Sequence, residues 1–150
     1  MSRAFVKETS QSAPPPERML DDGPNLVTPE GLAQIEAHVA RLEAAMQIEA
    51  NVLLRETLAR DLRYWSARKA SAQLVPPGDG VAGRIAFGSK VTVERTGRTQ
   101  TFRIVGVDQA DPARGLVSVR APIAAALIGA QVGDIIEGPL GEIAVLAVEN

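Results

Sequence analysis

Apolar residues recur every three or four positions along two stretches of the N-terminal half. The first runs from Leu32 to Met46 and follows Thr28 to Glu30, a typical helix start because Thr caps free N–H groups and Pro fits the first turn. The second runs from Leu54 to Trp65. The spacing loses phase between the two stretches, so we predict two antiparallel helices that turn near residues 49–53 rather than one long helix.

The C-terminal half alternates short strand patterns with turns. β-branched and aromatic residues favour strands at 90–94 and 99–107, joined by a turn at 96–98. Further strand patterns lie at 117–119, 134–137 and 142–148. Pro122 opens a two-turn helix that ends before Gly129. We therefore predict an α+β fold, in which an antiparallel helical hairpin precedes a small antiparallel sheet domain with one short helix.

Proline and glycine divide the chain into four parts. The run Pro14 to Pro16 excludes a helix, so residues 1–26 are expected to form a flexible tail. The hairpin is assigned to 27–75, a linker rich in Pro and Gly to 76–82, and the sheet domain to 83–150.

Composition excludes several kinds of chemistry. The 150 residues include no cysteine and one histidine, His38, so neither a thiolate nor a histidine metal centre is expected, and we predict no catalytic residue, metal or cofactor. Aromatic residues make up 3% and the net charge is −2, which predicts an aliphatic core and weak non-specific attraction to nucleic acid. There is neither an apolar run long enough to span a membrane nor a secretory leader, so a cytoplasmic location is expected.

Short matches in a fixed order connect this sequence to one family. They are Arg103 to Gly106, Ala110-Asp111, Ser118-Val119, Ala121 to Ile123, Ala126 to Gly129 and Val132 to Asp134, with Phe87 to Ser89 and Thr28 to Leu32 upstream. In this order they resemble Gre-type transcription elongation factors, over most of residues 26–148. The opening residues 1–8 and 16–18 also look like the leader of GreB-type relatives.

The resemblance implies a partner and a docking surface. The C-terminal domain of Gre factors is FKBP-like and docks on the rim of the secondary channel of bacterial RNA polymerase. The residues that match the docking region here are Pro122, Ile123, Ala126, Leu127 and Ile128. A short helix with small apolar side chains suits docking on a partner helix. The alternative is that Ile123 and Leu127 face the sheet core and leave only Ala124, Ala125 and Ile128 exposed.

The hairpin tip bears on transcript cleavage. In Gre factors, acidic residues at the tip help hold a catalytic metal in the polymerase, which activates water for phosphodiester hydrolysis. That acidic motif is missing here, and the hairpin is shorter than the family's by roughly twenty residues, or about 15 Å. Glu49, Asn51 and Glu56 are the tip candidates, and the alternative is that the carboxylates are solvated helix charges. We expect weak or no cleavage activity.

Basic residues are concentrated in the second predicted helix. By resemblance, Arg60, Arg63 and Lys69 are candidates to face nascent RNA; the alternative is an ordinary solvated face. Tyr64 is off the apolar seam and is a candidate contact residue, whereas Trp65 fits the seam and is expected to pack in it.

Other functions remain as alternatives. An active Gre cleavage factor and a factor like the regulator of nucleoside diphosphate kinase share the C-terminal domain. A prolyl isomerase is disfavoured because the aromatic pocket of such enzymes cannot be built from Phe87 and Phe102 alone. An intermolecular coiled coil is disfavoured by the loss of phase after Met46, so a monomer is expected.

Overall fold

The structure is a computed structural model that describes residues 13–150. The expected tail over residues 1–12, including most of the leader resemblance, lies outside the described residues. The described chain forms two compact units. One contains residues 13–23 with Ile35–Ser71, and the other contains Pro24–Gln34 with Ala72–Asn150.

Two helices of equal length follow the predicted seams. Helix α1 spans Pro29–Ile48 and helix α2 spans Val52–Ser71, with 20 residues each. The Gly31 N–H donates to Thr28 Oγ1 at 3.0 Å, and the Leu54 N–H donates to Asn51 Oδ1 at 3.1 Å, so both helices have side-chain N-caps. The predicted turn between two helices is confirmed, and Asn51 ends it as the cap of α2.

The two helices are antiparallel. Arg55 near the start of α2 bonds to the carbonyl of Met46 near the end of α1, whereas Trp65, further along α2, stacks on His38, earlier in α1. The α1 seam is well covered, since Ile35, Val39 and Leu42 are buried. The α2 seam is less so: Leu58, Leu62 and Trp65 are half-buried, and Leu54 is exposed.

Two short strands flank the hairpin and were not predicted. Strand β1 is Asn25–Val27 and strand β2 is Ala72–Leu74, and they pair in parallel. Residues 25 and 26, assigned to the flexible tail from the sequence, are therefore ordered by backbone hydrogen bonds. Three-residue strands carry almost no periodic signal, so only the pairing itself reveals them.

A five-stranded sheet forms most of the second unit. Its strands are β3 Lys90–Arg95, β4 Arg98–Val105, β5 Leu116–Ser118, β6 Ile135–Gly138 and β7 Gly141–Glu149, in the order β5-β4-β3-β7-β6. Thr96 and Gly97 connect β3 to β4 with φ of 52° and 75°, which is the two-residue turn that matches the twist of a hairpin.

The sheet is mixed, which corrects the prediction of an antiparallel sheet. Strand β5 runs parallel to β4, with Ile104 opposite Val117. The segment between them contains a 3₁₀ turn at Pro112–Arg114 and carries the chain back before β5 begins. A parallel return of this kind depends on the path of the loop, which strand propensity does not report.

The core lies on one face of this sheet. Helix α3, Pro122–Leu127, has Pro at its first turn as predicted, and Gly129 follows with φ of 94°. Ala124 and Leu127 of α3 pack with Val91, Ile104 and other aliphatic side chains, all fully buried. As the composition predicted, Phe102 is the one aromatic side chain in this buried cluster.

Two glycines of the matching motifs hold the start of α1 against the strands. A Cβ on Gly106 would lie 2.4 Å from the Leu26 carbonyl oxygen, so no larger residue fits there. A Cβ on Gly31 would lie 2.8 Å from Gln109 Oε1, which also accepts a 2.5 Å hydrogen bond from Thr28. The first turn of α1 thus belongs to the sheet unit rather than to the rest of the hairpin.

Candidate functional site

Helix α3 presents only part of the predicted docking set. Pro122 and Ile128 are exposed, Ile128 to 43%, and Ala126 is half-buried. Ala125, which belonged to the alternative set, is exposed as well. Together these four form a small apolar surface on one side of α3, which we call the α3 surface.

Leu127 does not belong to this surface. Its side chain is 0% exposed and packs in the sheet core, so it has no area to offer to a partner. Ile123 is half-buried and packs against the same core. The expectation that Leu127 contacts a partner is therefore corrected. The alternative, in which Ile123 and Leu127 face the core and Ala125 and Ile128 are exposed, agrees with the structure except at Ala124, which is also 0% exposed. In a helix this short, positions three apart share the face that the sheet covers.

At the hairpin tip, the polar groups are used to close the turn. Glu49 accepts a hydrogen bond from the Asn51 N–H at 3.0 Å, and Asn51 caps α2. The Arg55 guanidinium donates to the carbonyls of Met46 at 2.6 Å and Glu49 at 2.9 Å. These bonds give partners to carbonyl groups at the C-terminal end of α1 that have none within the helix. Glu56 lies four residues into α2, about 6 Å from its start. Thus Glu49 and Asn51 meet, whereas Glu56 stands apart.

Four apolar side chains are exposed at the tip, beside the exposed polar residues Asn51 and Arg55. Ile48 is 87% exposed, Val52 68%, Leu54 54% and Leu53 40%. We call these four residues the apolar tip. Sequence reasoning placed Leu54 in a seam and missed the other three; the available signal was that they fall between the two seams and have no place in either.

Two of the three residues of the predicted basic face of α2, Arg60 and Arg63, form ion pairs within the chain. Arg63 forms a forked ion pair with Glu17, with an Nε–Oε2 distance of 3.2 Å and a second, shorter bond between Nη2 and Oε1. Arg60 donates twice to Asp61, at 3.1 and 3.0 Å. Lys69 is exposed. The hydrogen bond from Arg63 is the main reason that the pKa of Glu17 lies below its ordinary value, and the same bond raises the pKa of Arg63.

Aromatic rings continue this face. The Arg18 guanidinium carbon lies 3.9 Å from the centre of the Tyr64 ring and 5.6 Å from that of Trp65. Arg18 also approaches Asp61 at 3.5 Å. Trp65 stacks on His38, with 4.1 Å between ring centres. Sequence reasoning assigned no contacts to residues 17 and 18, because ion pairs more than forty positions apart leave no local pattern.

The described part of the chain contains neither a metal-binding cluster nor a membrane span. Among residues 13–150, no three His, Asp or Glu side chains come together as metal ligands would. No helix in the same range is both long and apolar enough to cross a membrane.

Comparison with known proteins identifies the family of this chain. Residues 80–150 match the family model for the C-terminal domain of the transcription elongation factors GreA and GreB. The chain is 35% identical over 119 residues to transcription elongation factor GreB of Yersinia pestis, covering 77% of this chain and 69% of that protein. These similarities define a transcription elongation factor. The chain belongs to the GreA/GreB family.

Other relatives match over shorter lengths. Transcription elongation factor GreA of Verminephrobacter eiseniae is 46% identical over 70 residues, which is 44% of each chain. The chain thus spans less than half of that relative and about two thirds of the Yersinia protein. Among solved structures, the GreA/GreB elongation factor of Nitrosomonas europaea is similar over 86% of this chain, with a TM-score of 0.42 and 19% identity.

Proposed function

We propose that this chain binds RNA polymerase at the secondary channel and regulates elongation without stimulating transcript cleavage. The absence of cleavage stimulation is supported by the hairpin tip. Glu49, the carboxylate nearest the turn, is bonded to the backbone of Asn51. The other exposed side chains at the turn are the apolar tip with Asn51 and Arg55, none of which is a carboxylate. Since Mg²⁺ takes carboxylate and water oxygens, these residues do not suit a metal-delivering tip.

The length of the arms supports the same view. Helices of 20 residues extend about 30 Å each, and a carboxylate that stops about 15 Å short of an active centre cannot ligand a metal there. Side-chain rotation moves a Glu carboxylate by only a few ångströms. The hairpin is therefore proposed to occupy the channel without completing a metal site.

Docking is assigned to the α3 surface. Pro122, Ala125 and Ile128 offer apolar area on a helix that the sheet core holds rigidly through Ala124 and Leu127. A rigid small apolar surface suits a partner helix such as those of the channel rim. Nascent RNA is proposed as a second contact, on the α2 face that carries Arg60, Arg63 and Lys69. The protein would act as a monomer in the cytoplasm, where the polymerase is.

The test is a labelled-transcript assay on backtracked elongation complexes. Alone, this protein should release no cleavage product above background, even in excess. Added to a cleavage-competent GreB, it should lower the cleavage rate as its concentration rises, because both proteins would occupy one rim. Glu49→Gln and Glu56→Gln should leave that inhibition nearly unchanged.

Two results would contradict the proposal. Robust cleavage by this protein that is lost in Glu49→Gln or Glu56→Gln would show that the tip still supplies a metal ligand. Failure to co-elute with core RNA polymerase would remove the docking itself.

A further inference from the structure

Residues 13–23 form neither a helix nor a strand, and we call them the strap. The strap contacts α2 through Glu17 and Arg18. The strap carries Glu17, Arg18, Asp21 and Asp22, giving three acidic groups and one basic group. Helix α2 carries five basic residues, Arg55, Arg60, Arg63, Arg68 and Lys69, against the acidic Glu56 and Asp61. The two segments are thus complementary in charge, and both lie in the same compact unit.

Glu17 binds the Arg63 guanidinium through two oxygens, as a phosphate group can. Both carboxylate oxygens of Glu17 accept from the Arg63 guanidinium, one from Nε and one from Nη2. A planar guanidinium forms the same forked pair with two oxygens of a phosphate. Both side chains are more than half exposed, so a competing anion from solution can reach Arg63.

Arg18 holds Tyr64 in the way that a nucleobase would. Its planar guanidinium lies 3.9 Å from the Tyr64 ring centre. Aromatic rings beside a basic groove are where single-stranded nucleic acid stacks its bases. A group that mimics a phosphate and a group that mimics a base thus stand on consecutive residues of the strap.

The proposed function places single-stranded nascent RNA on the α2 face, and we propose that the strap occupies this face, at Arg63 and Tyr64, in the unbound protein. Glu17 stands where a phosphate binds and Arg18 where a base stacks. RNA binding therefore requires the strap to leave. This inference rests on the proposed function, which brings the hairpin to nascent RNA, but it can be tested without polymerase.

The experiment compares the whole chain with a Glu17→Gln, Arg18→Ala double variant, which keeps the net charge unchanged. The probe is a fluorescein-labelled single-stranded oligouridylate, followed by anisotropy at low salt. Since exposed ion pairs contribute only modestly, release of the strap should tighten binding by about threefold or more. Adding Arg63→Gln to the double variant should remove that gain.

A second readout follows the strap itself. Trp65 is the sole tryptophan, so its emission should change when Arg18 leaves the rings. The matched control is Asp22→Asn, which removes a carboxylate from the strap at an exposed position with no hydrogen bond or ion pair to α2 among the described residues. It should leave the emission unchanged and gain less affinity than the double variant.

Three results would overturn the inference. Equal RNA affinity of the wild type and the double variant would show that the strap does not compete. Identical Trp65 emission in both would show that the strap is not docked on α2. Absence of RNA binding in both would remove RNA as the ligand, and if the protein still co-eluted with polymerase the proposed function would stand.

Discussion

The two compact units differ in how many apolar side chains they bury: of the fifteen buried apolar residues in the described chain, twelve lie in the sheet unit and three in the helical unit. In the sheet unit, Ile104, Leu127 and Ile143 are fully buried among other aliphatic residues. In the helical unit, most of the α2 seam is only half-buried, and the tip exposes Ile48 to 87% and Val52 to 68%. The sheet unit therefore has most of the packing that stabilises a fold, whereas the hairpin keeps apolar and charged surface available for partners.

The largest expected effect distinguishes the two cores directly. Ile104→Ala should lower the free energy of unfolding of the sheet unit by about 2–5 kcal/mol, because it leaves a cavity at a fully buried site. Leu58→Ala, at a half-buried site of α2, should cost about 1 kcal/mol. Urea unfolding followed by circular dichroism measures both. Similar losses from the two substitutions would mean that the hairpin seam is as well packed as the sheet.

A close backbone approach gives the next effect. Gly106→Ala should destabilise the sheet unit by about 1–3 kcal/mol, since the new Cβ would meet the Leu26 carbonyl oxygen at 2.4 Å. Gly80→Ala is the control, because its Cβ would make only ordinary contacts, 3.5 Å or more away. The midpoints of thermal unfolding compare the two. An unaffected Gly106→Ala would show that β1 is not held against this strand end.

Docking should depend on exposed rather than buried residues of α3. Ile128→Asp should reduce polymerase binding by tenfold or more, about 1.4 kcal/mol, while its circular dichroism spectrum stays that of the wild type. Leu146→Asp, on strand β7, serves as the control because it adds the same charge at an apolar side chain of similar exposure, 44%, and strand alternation places it on the face opposite to buried Val145. Co-elution with core polymerase provides the measurement. If Leu146→Asp were the more damaging change, the docking surface would lie on the sheet rather than on α3.

The smallest effect is the response of the strap to pH. The hydrogen bond from Arg63, with the charges of Arg63 and Arg60, lowers the pKa of Glu17 below its ordinary 4.5. The Glu17–Arg63 pair therefore contributes fully to holding the strap on α2 above pH 4.5, and this contribution is lost as the pH falls through the lowered pKa.

Trp65 emission should report this change in the wild type and not in Glu17→Gln. The difference between the two titrations isolates Glu17 from the other carboxylates that protonate in the same range. Superimposable titrations would mean that Glu17 does not hold the strap to α2.

Local sequence patterns were enough to predict the elements that are made by neighbouring residues. The period of apolar residues predicted both helices, and Thr28 and Asn51 cap them in the structure. The structure also confirms the predicted turn at Thr96-Gly97 and the predicted helix start at Pro122. Each of these depends on contacts within about one helical turn, which the order of residues specifies directly.

The features that the sequence did not predict depend on residues far apart in the chain. The parallel pairing of β4 with β5, the burial of Leu127 and the placing of Glu17 on Arg63 all join segments whose approach is set by loop paths and packing. The residue pattern of a strand does not determine whether it pairs in parallel or antiparallel. The sequence of a two-turn apolar helix does not determine which of its sides the sheet will cover. The tertiary structure buries the face of α3 that packs into the core, and only the residues of α3 on the other side remain exposed to a partner.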